Sequence, residues 1–149
     1  MRWLRAVLLI LLLPPLAAWS VEQGTLAIRT ADGKDHVFTI ELAQTDAERE
    51  YGLMNRPSMP ADHGMLFDFG ADQRVAMWMK DTLIPLDMFF IDRAGKIVAI
   101  AQRAVPLSEE IIDSRLPVRA VLELNGGTAE RLGIANGDTV IYPIFGNAG

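Results

Sequence analysis

The stretch MFFIDRAGKIVAIA, residues 88–101, decides how this chain folds. Met88 to Ile91 is apolar at every position, so it has no polar side to turn to water, and four residues are too few for a helix. It reads as a strand covered on both faces. Asp92-Arg93-Ala94-Gly95 supplies a tight turn, and Lys96 to Ala101 returns as a second strand.

Downstream, Val118, Ala120, Leu122 and Leu124 fall on one side of a strand, with Arg119, Val121 and Glu123 on the other, its polar side. GTAERLGIANGDTVIY, residues 127–142, then reads as a helix of one or two turns. It is capped by Thr128, stopped by Gly133, turned at Asn136-Gly137 and returned as a strand from Thr139. Upstream, Val75 to Lys80 is a strand candidate, and the prolines and glycine of Arg56 to Gly64 make a loop that delivers Met65-Leu66-Phe67 to a short strand. Thr45 and Glu48 form a capping box at the start of a helix whose Ala47, Tyr51 and Met54 share one face. Thr25 to Arg29 and the alternating His36 to Leu42 pair across a turn at 31–35. Eight or so strands and two short helices, with no long helices between strands, disfavour a doubly wound parallel sheet. The expectation is a mainly β, single compact domain over residues 21–149, largely antiparallel and barrel-like, with two short helices.

The chain has 149 residues, half of them hydrophobic, enough for one core and too few for a second domain. Arg2 and Arg5, the apolar run from Ala6 and the small residues before Val21 have the layout of a signal peptide over residues 1–20. The uncharged segment Ala6 to Ser20 is 15 residues long, against about 20 needed to span a bilayer. The expectation is a periplasmic or secreted protein with no stable membrane span after signal removal. Loss of residues 1–20 removes two arginines and no acid, so the formal net charge moves from −5 to −7. That charge repels phosphate backbones, and nucleic acid is not expected as a partner.

No cysteine is present, which excludes disulfides, thiolate metal sites and cysteine nucleophiles and suits an oxidising compartment. Ser58, Ser108 and Ser114 have no G-x-S-x-G context, and Gly126-Gly127 is followed by neither a dinucleotide fingerprint nor a P-loop lysine. His36, alternating with Phe38 and Ile40, reads as a structural histidine. Met54, Met59, Met65, Met77, Met79 and Met88 cluster near His63, and soft thioethers suit Cu(I). Met77 and Met79, however, fall on the strand face opposite Lys80, beside Phe89 or Ile91, as core residues. No cofactor or metal is expected.

One segment keeps polar groups where the pattern otherwise reads as core. In MWMKDTLIPLD, residues 77–87, Trp78 and Lys80 share a strand face, with Asp81 and Thr82 just beyond its end. An indole wall with polar groups at its rim holds small amphipathic ligands. The ligand-binding candidates are Arg56, Trp78, Lys80, Asp81, Thr82, Asp87 and Glu123. The competing reading has Asp81 and Thr82 capping a turn and Asp87 binding free amides where the chain re-enters the core. The expected function is an exported small-ligand-binding or accessory domain, with an unknown small ligand or envelope partner. The alternative is a hydrolase using two of these carboxylates on a carbohydrate or cell-envelope substrate.

Three blocks, YGLMNRPSMPADHGMLFDF (51–69), MWMKDTLIPLDMFFIDRAGKIVAI (77–100) and RAVLELNGGTAERLGIANGDTV (119–140), resemble the uncharacterised DUF192 family over essentially the whole mature chain. The resemblance implies a small, often exported β-rich barrel-like domain with no assigned activity. The chain departs from the family's usual pattern with Asp81 in place of Asn and Met77 in place of an aromatic residue.

Overall fold

A computed structural model describes residues 21–149, and the expected signal peptide lies outside them. The strands are β1 (Glu22–Arg29), β2 (Asp35–Ala43), β3 (His63–Gln73), β4 (Ala76–Met77), β5 (Leu86–Ile91), β6 (Ile97–Ala104), β7 (Ile112–Asp113), β8 (Val118–Asn125) and β9 (Thr139–Ile141). The helices are α1 (Asp46–Tyr51) and α2 (Thr128–Leu132). Seven strands form one sheet in the order β6-β5-β8-β3-β2-β1-β9, antiparallel except for the β2–β3 pair, and β4 and β7 pair separately. The domain is thus mainly β, a curled, mostly antiparallel half-barrel with two short helices, as the sequence pattern predicts.

The curl brings the sheet edges together at one end. Lys96, just before β6, bridges Thr139 of β9, and the Ile97 amide donates to the Asp138 carbonyl at 2.9 Å. The concave side encloses Leu26, Ile28, Phe38, Ile40, Leu66, Phe89, Ile91, Leu122 and Val140. A second core covers the other side of β3, β5 and β8, where Met65, Phe67, Met88, Phe90 and Val121 pack beneath Leu53, Val75 and Met79. The central strands therefore lie between two apolar layers, and every residue of β5 is buried. Burying each large side chain of this kind contributes about 1.5–3 kcal/mol.

The second core corrects three sequence expectations. The Val121 and Glu123 side of β8 is no polar face: both residues are buried. Met79 is core, as expected, and Met77 packs against it, but their companions are Met88 and Phe90, since the alternation of β5 sends Phe89 and Ile91 to the opposite side. The Val75–Lys80 strand shrinks to Ala76–Met77, because the Met79 amide donates to the Ser108 carbonyl and Asp81 adopts φ 53°, turning the chain out of any ladder. Close passage of β3 over β8 needs Gly64, where a Cβ would stand 2.5 Å from the Glu123 carbonyl oxygen.

Candidate functional site

Asp87 and Asp81, alike in sequence, have opposite surroundings. Asp87 is 0 % exposed. Its Oδ1 accepts the amides of Arg103 at 2.8 Å and Gly127 at 3.0 Å, and its Oδ2 accepts the amide of Ala129 at 2.8 Å. The carboxylate therefore joins β5 to β6 and caps α2. Thr128, expected as that cap, lies inside the helix and donates its hydroxyl to the Asn125 carbonyl at 2.7 Å, while Gly127 holds the N-cap position at φ 89°. With its oxygens committed to main-chain N–H groups, Asp87 is out of reach of any ligand.

Asp81 is exposed and left-handed, a conformation that Asn and Asp tolerate better than other side chains. The Asp81 carbonyl accepts the Asn55 amide at 2.8 Å, tying the turn to the end of α1. Thr82 is buried, its amide donating to the Met79 carbonyl at 3.1 Å and its hydroxyl to the Lys80 carbonyl at 3.2 Å. These hydrogen bonds tie the turn down, with Trp78 exposed and Lys80 half-buried beside it.

Between this turn and α1 lies a hollow of about 340 Å³ lined by Ala47, Glu50, Tyr51, Met54, Trp78, Lys80 and Asp81. Tyr51 and Trp78 are 54 % and 40 % exposed, unusually high for aromatic walls. The Lys80 ammonium stands 5.2 Å from the centre of the Trp78 ring. Ala47 and Tyr51 of α1 and Met54 in the turn after it lie on one side, as their spacing predicts, and that side lines the hollow instead of the core. The capping box that starts α1 is formed, with the Thr45 hydroxyl accepting the Glu48 amide at 3.2 Å and the Glu48 carboxylate accepting the Thr45 amide at 2.9 Å.

Beneath the hollow, a cavity of about 30 Å³ reaches Glu123 past Met77, Trp78, Lys80 and Thr82. Glu123 stands directly opposite Met65 on β3 and Met88 on β5 and is only 4 % exposed. Burial alone pushes its carboxyl up to about 8, and no hydrogen bond or cation among the described residues offsets it. At neutral pH the group is mostly protonated, so it both donates and accepts hydrogen bonds. An unpartnered buried carboxyl costs stability, and such groups concentrate where function needs them.

Arg56 belongs elsewhere. Its Nη1 and Nη2 donate to the two Glu41 carboxylate oxygens at 2.5 and 2.8 Å, and the guanidinium holds the Glu41 carboxyl below its ordinary range. The pair borders a larger hollow of about 480 Å³ on the other side of Tyr51, with Val21, Glu48 and Met65. Glu41 and Arg56 there satisfy each other, and the Glu48 carboxylate is taken by the amides of Gln44 and Thr45, so the hollow offers no unpaired charge to a ligand.

The structure thus brings Trp78, Lys80, Asp81, Thr82 and Glu123 together, excludes Asp87, and separates Arg56. It adds Glu50 and Tyr51, for which the sequence signal was the face that Tyr51 shares with Ala47 and Met54. Among the described residues there is no group of three or more His, Asp or Glu side chains that could hold a metal, and no helix long and apolar enough to cross a membrane.

Fold and hollow together define a small β-rich half-barrel domain with a pocket built on its convex side. Residues 27–142 match the family model DUF192, described as Uncharacterized ACR, COG1430. The chain belongs to that family. It is similar to a solved structure from Sinorhizobium meliloti, named as a candidate transcription regulator, with 51% identity and a TM-score of 0.83 over 84% of this chain and 97% of that one. A protein of unknown function from Novosphingobium aromaticivorans is 37% identical, with a TM-score of 0.80 over 85% of this chain and 90% of the other. No curated protein matches the chain.

Proposed function

We propose that the protein is an exported, soluble small-ligand-binding domain whose site is the hollow between α1 and the Met77–Thr82 turn. The observation that carries this reading is Glu123, a buried carboxyl with no partner among the described residues, at the floor of a hollow walled by half-exposed Trp78 and Tyr51. A rigid apolar wall with a few fixed polar groups is the usual construction of a small-molecule site. Export to the periplasm or beyond is supported by the signal-peptide layout of residues 1–20 and the absence of cysteine. The regulator name carried by the Sinorhizobium meliloti relative finds little support here, because a mature net charge of −7 opposes binding to DNA.

A hydrolase is the second reading, favoured by Glu123 alone: a carboxyl held protonated near neutral pH is suited to act as a general acid. Asp87 has no part in it. Thermal melting against sugars, amines, small carboxylates and cell-wall fragments tests the binding reading, since a ligand bound only by the folded state raises Tm. A stabilising compound whose effect disappears in Trp78→Ala and Glu123→Gln is expected. Stabilisation unaffected by both substitutions would place the site elsewhere, and turnover of a fragment abolished by Glu123→Gln would establish the hydrolase.

A further inference from the structure

We infer that the ligand of this hollow is a small organic cation bearing a primary ammonium group, with Glu123 as its buried counter-ion; this rests on the hollow being the binding site. The charged groups around Glu123 leave that role open. Its strand neighbours Met65 and Met88 are uncharged. From α1, Arg49 and Glu50 line the cavity, but the Arg49 guanidinium is committed to the carbonyl oxygens of Gln44 and Asp68 and the carboxylate of Asp46, and lies over the Phe69 ring. From the turn comes Lys80, whose ammonium sits on the indole of Trp78. Neither cation contributes to the protonation of Glu123, which burial alone determines.

Size and wall chemistry select the same ligand class. A space of about 30 Å³ admits one ammonium head, close to the volume of a single water in the liquid. A sugar ring does not fit there. The outer hollow of about 340 Å³ takes the rest of the molecule between Tyr51 and Trp78. That the indole face accepts an alkylammonium is already shown by Lys80. Glu50 and Asp81 at the rim add negative charge, and the acidic mature chain draws cations toward it. On entry of the ammonium, the Glu123 carboxyl gives its proton to solvent and the carboxylate pairs with the cation.

Proton release makes the test specific. n-Butylammonium chloride is titrated into the full chain carrying Trp3→Phe and Trp19→Phe, so that the fluorescence of Trp78 alone reports binding, between pH 5.5 and 8.5. n-Butanol and butyrate serve as neutral and anionic counterparts of the same shape. The expected result is affinity for butylammonium that rises about tenfold per pH unit in the acid range and flattens near the top of it, with neither counterpart binding comparably. Glu123→Gln, nearly isosteric, should weaken binding at least tenfold and abolish the pH dependence. Butanol or butyrate binding as well as the amine, or amine affinity indifferent to pH, would overturn the cation while keeping the hollow as a site. If none of the three probes and no compound from the melting panel perturbs Trp78, both the cation and the site reading fall.

Discussion

The Oδ2 oxygen of Asp87 accepts the amide of Ala129 at 2.8 Å, joining residues 42 apart in the chain. Asp87 does for α2 what a local Ser or Thr cap does for other helices, from a neighbouring strand. Asp87→Ala leaves three amides unpaired, the buried one of Ala129 at about 1–3 kcal/mol and the two part-buried ones at less. Urea unfolding should show a loss of several kcal/mol, with Asp87→Asn intermediate because only one amide oxygen accepts. A midpoint equal to that of the wild type would deny Asp87 its structural role.

Asp81→Asn should change stability by less than about 0.5 kcal/mol, since an exposed side chain is exchanged for one equally tolerant of φ 53°. Asp81→Val should cost on the order of 1–3 kcal/mol, because a β-branched residue is strained in the left-handed region. The contrast between the two variants is the measurement. Equal melting temperatures would mean that the turn is soft and relaxes around either residue.

Much of this fold is legible in residues 88–101 and 118–124, where apolar runs too short for helices require strands. Two features are not. Glu123 alternates with apolar neighbours like a solvent-facing residue, and only the packing of Leu53, Val75 and Met79 over the convex side puts it under cover. Likewise, nothing local to Arg56 shows that Glu41, fifteen positions earlier, takes both ends of its guanidinium. Long-range pairing decided both cases. For Asp87 the sequence offers amide binding as one of two readings, but the amides it meets come from β6 and the start of α2, 16 to 42 positions away, which nothing local to Asp87 shows.

Glu123 also predicts how stability depends on pH. In the unfolded chain its carboxyl titrates near its ordinary value of 4.5, while in the fold burial raises it to about 8. Between those values the folded state keeps a proton that the unfolded state has lost, so this group's contribution is fully present below pH 4.5 and falls as pH rises toward 8. Within the window each pH unit removes up to about 1.4 kcal/mol. Glu123→Gln lacks the effect, and its stability relative to wild type should climb from pH 5 to pH 8 in urea titrations. Parallel curves for the two proteins would mean that Glu123 is ionised in the fold.

Export predicts a mature chain beginning at or near Val21. Mass spectrometry of the protein recovered outside the cytoplasm should give the mass of residues 21–149, and that form should stay in solution after membranes are pelleted. Full-length chain retained in washed membranes would contradict cleavage.

The most direct measurement is a crystal structure of the protein grown with whichever compound of the melting panel raises Tm most. Electron density for the compound is predicted between Tyr51 and Trp78, with one of its polar groups within hydrogen-bonding distance of the Glu123 carboxyl and the Glu41–Arg56 pair undisturbed. Density in the hollow beside Arg56 and Val21, or a compound that leaves Glu123 unpartnered, would contradict the assignment of the site.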